Sequence, residues 1–540
     1  MTFSQLKKIC WQKRSWLIAL LAATIFVIFA GTRPGSDHHQ LFNLEPYPDG
    51  LFFVVPAWRF AHGQGMTVGL GERVILHPQV LPVYQYFLGV GFLLLRFESA
   101  WFWLNLLLGV SGVALLAVTL QRLFDKTWVT LVGIGLFLLH GYVLWLPSLP
   151  MAENLVLFLF LASIWGITQK KLSWRSVTIS VVTIGFLGMT KYTALGPAVV
   201  LAVFLLGRLL LEKSNRRFLC SVGIWLPMGI WFIFYHMSQG INPLPTLQTQ
   251  LAKNAPVQSL QFYSWKYLSS NASFYTQAVL GKGQNFLWLR YPLTSVTMIV
   301  IAVFSATLVF LQHLKKKAPD TSTQAQLALV LTTCFAAQLP LLLIFYSRDL
   351  RYFILAIPIL VLLVCLGLSR LGDLTRLRKW VIPVVVVLIA TQLFSEKSFL
   401  RYVVVTNLLQ RSNAWQYQAV KLAAAKIPDK DATLVTALPP FLFEFYSPGK
   451  FQLLPLSQHQ EFADKGQNVW SDDVPLTNLE YSLEQRLGRG EKVYISNAYL
   501  SSNHQLFDDF AALEKRFRVT KIFDGCDQTC NIYKLENFSH

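Results

Sequence analysis

Apolar stretches of roughly 17–25 residues, the length that crosses ~30 Å of hydrocarbon, recur between residue 15 and about residue 395. Their lengths and the polar residues between them predict about eleven transmembrane helices, near 15–31, 99–120, 127–146, 152–169, 176–190, 194–212, 218–237, 293–313, 326–346, 353–370 and 380–395. Short basic clusters punctuate the series: Arg122 with Lys126, Lys170 and Lys171 with Arg175, Lys213 with Arg216 and Arg217, Lys315 to Lys317, and Arg376 with Arg378 and Lys379. With that span count every cluster shares the side of Lys7, Lys8, Lys13 and Arg14. The positive-inside rule makes this side cytoplasmic. The first run is long for a signal-peptide core and lacks a convincing small-residue cleavage site, which predicts a retained span. The segment 81–97 is apolar enough to cross, but counting it would invert the loops that follow. It therefore predicts a juxtamembrane or re-entrant helix on the outer side.

The pattern changes beyond Phe394. Charges become common and apolar runs shorten to strand length, with helical periodicity near 414–425, 441–446, 481–487 and 507–517. Strand patterns fall near 432–437, 492–496, 519–523 and 531–535. The chain thus divides into a membrane module, 1–394, with a first outer loop at 32–98, and an extracytoplasmic α/β domain, 395–540, long enough to bury its own core. A second outer loop, about 239–291, is polar but rich in aromatics, including Phe262, Tyr263, Trp265 and Trp288. It suits either a headgroup anchor or a lid on which carbohydrate stacks.

Composition agrees with a polytopic membrane protein. Hydrophobic residues make up 54% of the 540 and charged residues 14%, with a mean hydropathy of +0.45, too little charge to cover a soluble surface. The net charge of +19 is dispersed among loops, where it sets topology, so a nucleic-acid partner is not implied. Of the six cysteines, Cys10, Cys220, Cys334 and Cys365 lie in or beside spans. Cys526 and Cys530 in the outer domain suit a local disulfide in an oxidising compartment, and too few ligands lie near them for a metal.

Ionisable groups are nearly absent from span interiors and collect at the outer ends: Asp49, His77, Glu153, Lys191, Arg348, Asp349 and Arg351. Topology gathers onto one surface groups that the sequence scatters over hundreds of residues. Asp49 stands in the turn Pro48-Asp49-Gly50. An amphipathic segment follows, 51–62, carrying Trp58, Arg59 and His62 and suited to lie along the membrane surface, and then a glycine-rich loop runs to His77-Pro78. Taken alone, Asp49 fits a turn residue as well as a catalytic acid; Glu153 fits a helix cap, and Lys191 and Arg351 fit interfacial snorkelling. No G-x-S-x-G, H-E-x-x-H or P-loop motif is present, which removes the signatures of serine hydrolases, zinc peptidases and nucleotide-driven pumps. What remains is a carboxylate able to deprotonate a hydroxyl and cations able to receive a departing phosphate at a membrane surface.

In these motifs the chain resembles the GT-C membrane glycosyltransferases that use polyprenyl-phosphate sugars, in the branch of protein O-mannosyltransferases and aminoarabinose transferases. The likeness covers roughly residues 15–370. It rests on Tyr47-Pro48-Asp49-Gly50, His62-Gly63-Gln64-Gly65, His77-Pro78 and Met151-Ala152-Glu153-Asn154. It rests also on Gly188-Met189-Thr190-Lys191 heading a segment with Thr193, Ala194, Leu195 and Pro197, and on Arg351-Tyr352 opening a span that holds Pro358. The resemblance implies Asp49 as catalytic base, and Lys191, Arg351, Tyr352, His77 and Glu153 as donor-phosphate or substrate contacts. Many members carry a second acid where Gly50 stands. The likeness implies transfer by a single base with no cofactor, although divalent-metal use stays open. The partners implied are a polyprenyl-phosphate-linked sugar and an acceptor hydroxyl on a glycan, lipid or protein, at a plasma (inner) membrane. The N-terminus would be cytoplasmic and the C-terminal domain extracytoplasmic. The rival readings are a lipid flippase or transporter, a transferase with a lipid-diphosphate donor, and a non-catalytic scaffold. The sequence shows no clear internal repeat of the kind transporters often carry.

Overall fold

The structure, a computed structural model, describes residues 3–30, 49–70, 73–76, 81–238, 264–279, 295–315, 319–344, 349–374, 378–408, 415–438, 440–456, 463–464, 467–468, 476–498, 504–524 and 531–538. Each stretch that the apolar pattern marks as a span contains helix. In order these are α1 (Phe3–Ala30), then, beyond the first long loop and its helices α2 (Asp49–Ala61) and α3 (Pro82–Leu95), α4 (Ala100–Phe124), α5 (Thr127–Leu138) with α6 (Gly141–Trp145), α7 (Glu153–Ile167), α8 (Trp174–Thr190), α9 (Leu195–Leu211) and α10 (Asn215–Ser238). The series closes with helices Val296–Lys315, Pro319–Leu343, Ala356–Asp373 and Val381–Leu408. Among the described residues, by length and composition six helices qualify to cross a membrane, or seven if α5 and the bent continuation to Ser148 form one span. Four shorter apolar helices accompany them. The chain is a multi-pass membrane protein.

The α5–α6 break bends by 69° and holds polar groups that the sequence pattern did not single out. His140 Nδ1 lies 3.3 Å from Glu396 Oε1, and Gln392 Nε2 donates to the same oxygen over 3.4 Å. All three side chains are buried. Glu396 belongs to the Val381–Leu408 helix, which runs without interruption past the expected domain boundary at 394/395. It does so because Leu388, Phe399 and Val403 keep one face buried on both sides of that point.

Helix α3 is 14 residues long, ~21 Å at 1.5 Å per residue, which is short of the hydrocarbon thickness. It packs along α2, and the two approach closely at Gly89, where a Cβ would stand 2.8 Å from Phe60. Two corrections concern α2. Asp49 is the first residue of the helix, not the centre of a free turn; acids suit the first turn of a helix, where backbone N–H groups are unpaired. Nor does α2 offer an apolar side to lipid and a polar side to water: Phe53, Val54, Val55 and Ala57 are all buried. The helix ends at Gly63 and Gly65, both in the left-handed region with φ of 77° and 74°, which glycine adopts at little cost. The hairpin β1 (Thr67–Leu70) and β2 (Arg73–Leu76) follows.

In the C-terminal region, helix Trp415–Lys426 leads into a five-stranded sheet of order β4-β3-β7-β9-β8, built from β3 (Ala432–Thr436), β4 (Phe451–Pro455), β7 (Val493–Ser496), β8 (Arg518–Phe523) and β9 (Ile532–Glu536). Between β4 and β7 the described residues include a minor hairpin, β5 (Ala463–Asp464) with β6 (Gln467–Asn468), and the helix Leu476–Gly488. β3 pairs in parallel with β4 and β7, whereas β9 runs antiparallel to β7 and β8. All five β3 residues are buried, as expected of a parallel strand covered on both faces. One face, with Val435, Val493 and Ile495, packs on Leu483, Phe510 and Leu513. The other, with Leu434 and Tyr494, joins the core of the membrane body through Leu442, Phe443 and Phe445. Cys526 and Cys530 lie outside the described residues.

Candidate active site

Three helix ends meet at one buried carboxylate. Glu153 opens α7 and is wholly buried. Lys191 stands in extended conformation where α8 ends, before a single turn of 3-10 helix leads into α9. Arg351 lies in another 3-10 turn, Leu350–Phe353, capped by Asp349, whose side chain accepts the Arg351 backbone N–H over 2.9 Å. Lys191 Nζ donates to Glu153 Oε1, and Arg351 Nε approaches the same oxygen at 4.0 Å and Asp349 Oδ2 at 3.0 Å. Both cations also cover the Tyr352 ring, at 4.6 and 5.1 Å from its centroid, a contact worth more when desolvated. Met151 Sδ lies 3.9 Å from Arg351 Nη1. Burial lowers the Lys191 ammonium below the ordinary lysine range, opposed by the Glu153 charge. It raises the Asp349 carboxyl, opposed by Arg351.

Buried hydrogen bonds hold this cluster in place. Tyr84 Oη on α3 donates to Asn105 Oδ1 over 2.8 Å, and Asn105 Nδ2 donates to Leu149 O over 2.8 Å. Gln338 Nε2 fixes the Tyr352 carbonyl at 2.8 Å, and Tyr275 Oη reaches Asp349 O at 3.4 Å. Glu153 Oε2 has no hydrogen-bond partner among the described residues, so one oxygen of a buried carboxylate is left for a ligand or a proton.

Of the residues singled out in the sequence, Glu153, Lys191, Arg351 and Tyr352 come together. His77 and Arg348 lie outside the described residues. Asp49 is placed by its backbone at the start of α2. One turn along, Phe53 packs edge-on against Tyr84 at 5.1 Å. Through Tyr84 and Asn105, α2 is linked to the Leu149 carbonyl, four residues before Glu153. Asp349, which the sequence places on the same surface without assigning it a role, joins the cluster, as does Met151 of the Met151-Ala152-Glu153-Asn154 motif. The signal for Asp349 was the Asp-x-Arg spacing of a side-chain cap, which pairs it with Arg351. The asparagine of Asn271-Ala272-Ser273, an acceptor sequon in form, is buried, and donates to the carbonyls of Leu342 and Leu343 over 3.0 and 3.1 Å. It closes a helix end.

The donor set is two cations against two carboxylates, with no third His, Cys, Asp or Glu joining any pair closely enough to hold a metal among the described residues. Such a set exchanges one anion for another.

A membrane helix bundle with paired helices in its first long loop, charges at helix ends and a C-terminal α/β unit resembles in fold the GT-C membrane glycosyltransferases that use polyprenyl-phosphate carriers. Among solved structures, ArnT from Cupriavidus metallidurans bound to undecaprenyl phosphate matches at 14% identity over 97% of this chain and 98% of that one, with a TM-score of 0.59. The same protein in the apo state matches at 13% identity over the same shares, also with a TM-score of 0.59. The archaeal oligosaccharyltransferase AglB from Archaeoglobus fulgidus covers 90% of this chain and 69% of its own at 9% identity, and its TM-score of 0.47 is too low to carry weight. No protein-family model and no curated protein matches the chain. At these identities the likeness is one of fold.

Proposed function

We propose that the chain is an inverting glycosyltransferase that moves one sugar from a polyprenyl-phosphate donor to an acceptor hydroxyl on the extracytoplasmic face. Its N-terminus would be cytoplasmic, with about eleven spans and its C-terminal domain outside. The observation that carries the reading is the convergence of Lys191 and Arg351 on Glu153 where three helix ends meet. In the free protein the four charges of Lys191, Arg351, Glu153 and Asp349 formally cancel. A phosphodiester donor brings one negative charge, and cleavage of its sugar–oxygen bond leaves a phosphate monoester with a second. The acceptor oxygen forms the new bond to the anomeric carbon, its proton passes to the Asp49 carboxylate, and the electron pair of the broken bond goes to the phosphate. Lys191 and Arg351, drawn off their carboxylates, answer the charge that grows on the leaving group, and interactions that strengthen in this way raise the rate. His77 is assigned to the same substrate surface by its motif.

The test is the mass of the lipid-linked sugars that accumulate when the chain is deleted. A polyprenyl-phosphate monosaccharide is expected. Accumulation of a lipid-diphosphate glycan would move the reading to that donor class, and an unchanged lipid-linked pool would refute glycosyl transfer.

A further inference from the structure

The C-terminal domain grips the helix that begins with Asp49. Arg59, on α2, is held on two sides: Nη1 lies 2.6 Å from Glu444 Oε2, and Nε donates to Thr67 Oγ1 over 2.9 Å. Only 11% of the Arg59 side chain is exposed. Its neighbour Trp58 stands edge-on to Phe92 of α3 at 5.3 Å and to Phe445 at 5.2 Å, so three elements contribute one ring each to a single wedge. Glu444 and Phe445 are consecutive residues of the short helix Pro440–Tyr446. A second latch lies beside it, with Lys421 Nζ 2.5 Å from Tyr446 O and 3.6 Å from Glu98 at the foot of α4.

A helix of 13 residues has little stability of its own in isolation, so the place of α2 is set by what packs on it. Phe53, Val54 and Val55 before the internal Pro56, and Ala57 after it, are buried. A displacement at Trp58 and Arg59 is therefore passed along packed side chains to the first turn. Asp49 lies ten residues from Arg59, ~15 Å along the helix axis. We propose that Glu444, supported by Phe445, is a positioning residue for the transferase: the C-terminal domain holds α2 in the register that brings Asp49 to the acceptor. This rests on the glycosyl-transfer reading, in which Asp49 is the base. A shift of about 1 Å in such a group costs on the order of 10²-fold.

The experiment uses the full chain in lipid vesicles and compares Glu444→Gln, Phe445→Ala and the exchange Arg59→Glu with Glu444→Arg. Two readouts are taken, steady-state transfer from the lipid donor and amide hydrogen exchange along α2. The single variants should lower kcat roughly ten- to a hundredfold with donor KM unchanged, and should speed exchange in α2. The charge exchange should restore much of both. Wild-type kcat in both single variants, an equal movement of donor KM, or unchanged α2 exchange would each overturn the proposal. If the wild-type chain transfers no sugar, the glycosyltransferase reading fails by itself, and exchange in α2 alone then decides whether the grip exists.

Discussion

The two ends of the helix bundle use the same cations in opposite ways. At one end Arg122 donates to Trp165 O over 2.8 Å, Lys126 to Ser369 O over 2.8 Å, Arg208 to Ile167 O and Lys170 O, and Arg217 to Leu172 O. These carbonyls lie at or just beyond the C-terminal ends of helices, where backbone acceptors are unpaired and the helix dipole is negative. At the other end Lys191 and Arg351 meet side-chain carboxylates and an aromatic face. A cation on a backbone carbonyl finishes a helix, and nothing that diffuses in can replace that carbonyl. A cation on a carboxylate can exchange it for a phosphate. Lys126 and Arg208 also meet carboxylates, Asp373 and Glu212, but these are more exposed, whereas Glu153 and Asp349 are buried; burial of the pair, together with the kind of partner, separates the two ends.

The largest effect that would break this contrast is at Asp49. Asn has nearly the same shape and cannot take the proton. Asp49→Asn should insert, fold and bind the lipid donor, yet transfer sugar at least ~10² more slowly, measured by single-turnover transfer. Near-normal transfer would move the base to Glu153, whose second oxygen is unpartnered among the described residues.

Next come Lys191→Ala and Arg351→Ala. Each removes one partner of a buried charged set, so donor use should weaken by ~2–3 kcal/mol, more than acceptor use does. Donor titrations that match the wild type in both variants would return these residues to the role their counterparts play at the opposite end. A smaller and independent effect concerns which end faces outward. If the Glu153 end does, Cys526 and Cys530 should be oxidised in purified protein, and the short loop they close should add about 2 kcal/mol, at the low end for a disulfide. Free thiols at both positions in non-reducing peptide mapping would contradict that orientation.

Much of this contrast was legible in the sequence, because both the spans and the basic clusters are local signals. Apolar runs near 152–169 and 353–370 reappear as Glu153–Ile167 and Ala356–Asp373, and the helices and strands expected beyond Phe394 are found within a few residues of their places. The strand Phe451–Pro455 was missed: its apolar run is short and broken by Gln452, and its final proline argues against a strand. Contacts between distant residues were not legible. His140 and Glu396 give no local sign of their pairing, and α2 reads as a surface helix until Glu444, 385 residues beyond Arg59, is brought against it. Asp49 was recognised from its motif, whereas the environment that fixes its helix is tertiary.

The smallest predicted effect is the most discriminating control. Lys126 resembles Lys191 in being a lysine between two helices that donates to a carboxylate, Asp373 Oδ1 at 2.6 Å. It differs in burial, since its side chain is 27% exposed and that of Asp373 55%, against 15% for Lys191 and 0% for Glu153. Water screens the first pair and is largely excluded from the second, and exposed pairs are commonly worth about 0–1 kcal/mol. Lys126→Ala should therefore cost less than ~1 kcal/mol of stability and leave the donor titration on the wild-type curve. If Lys126→Ala weakened donor use as much as Lys191→Ala, the two ends would not differ in kind, and the cations of both would be serving the stability of the bundle.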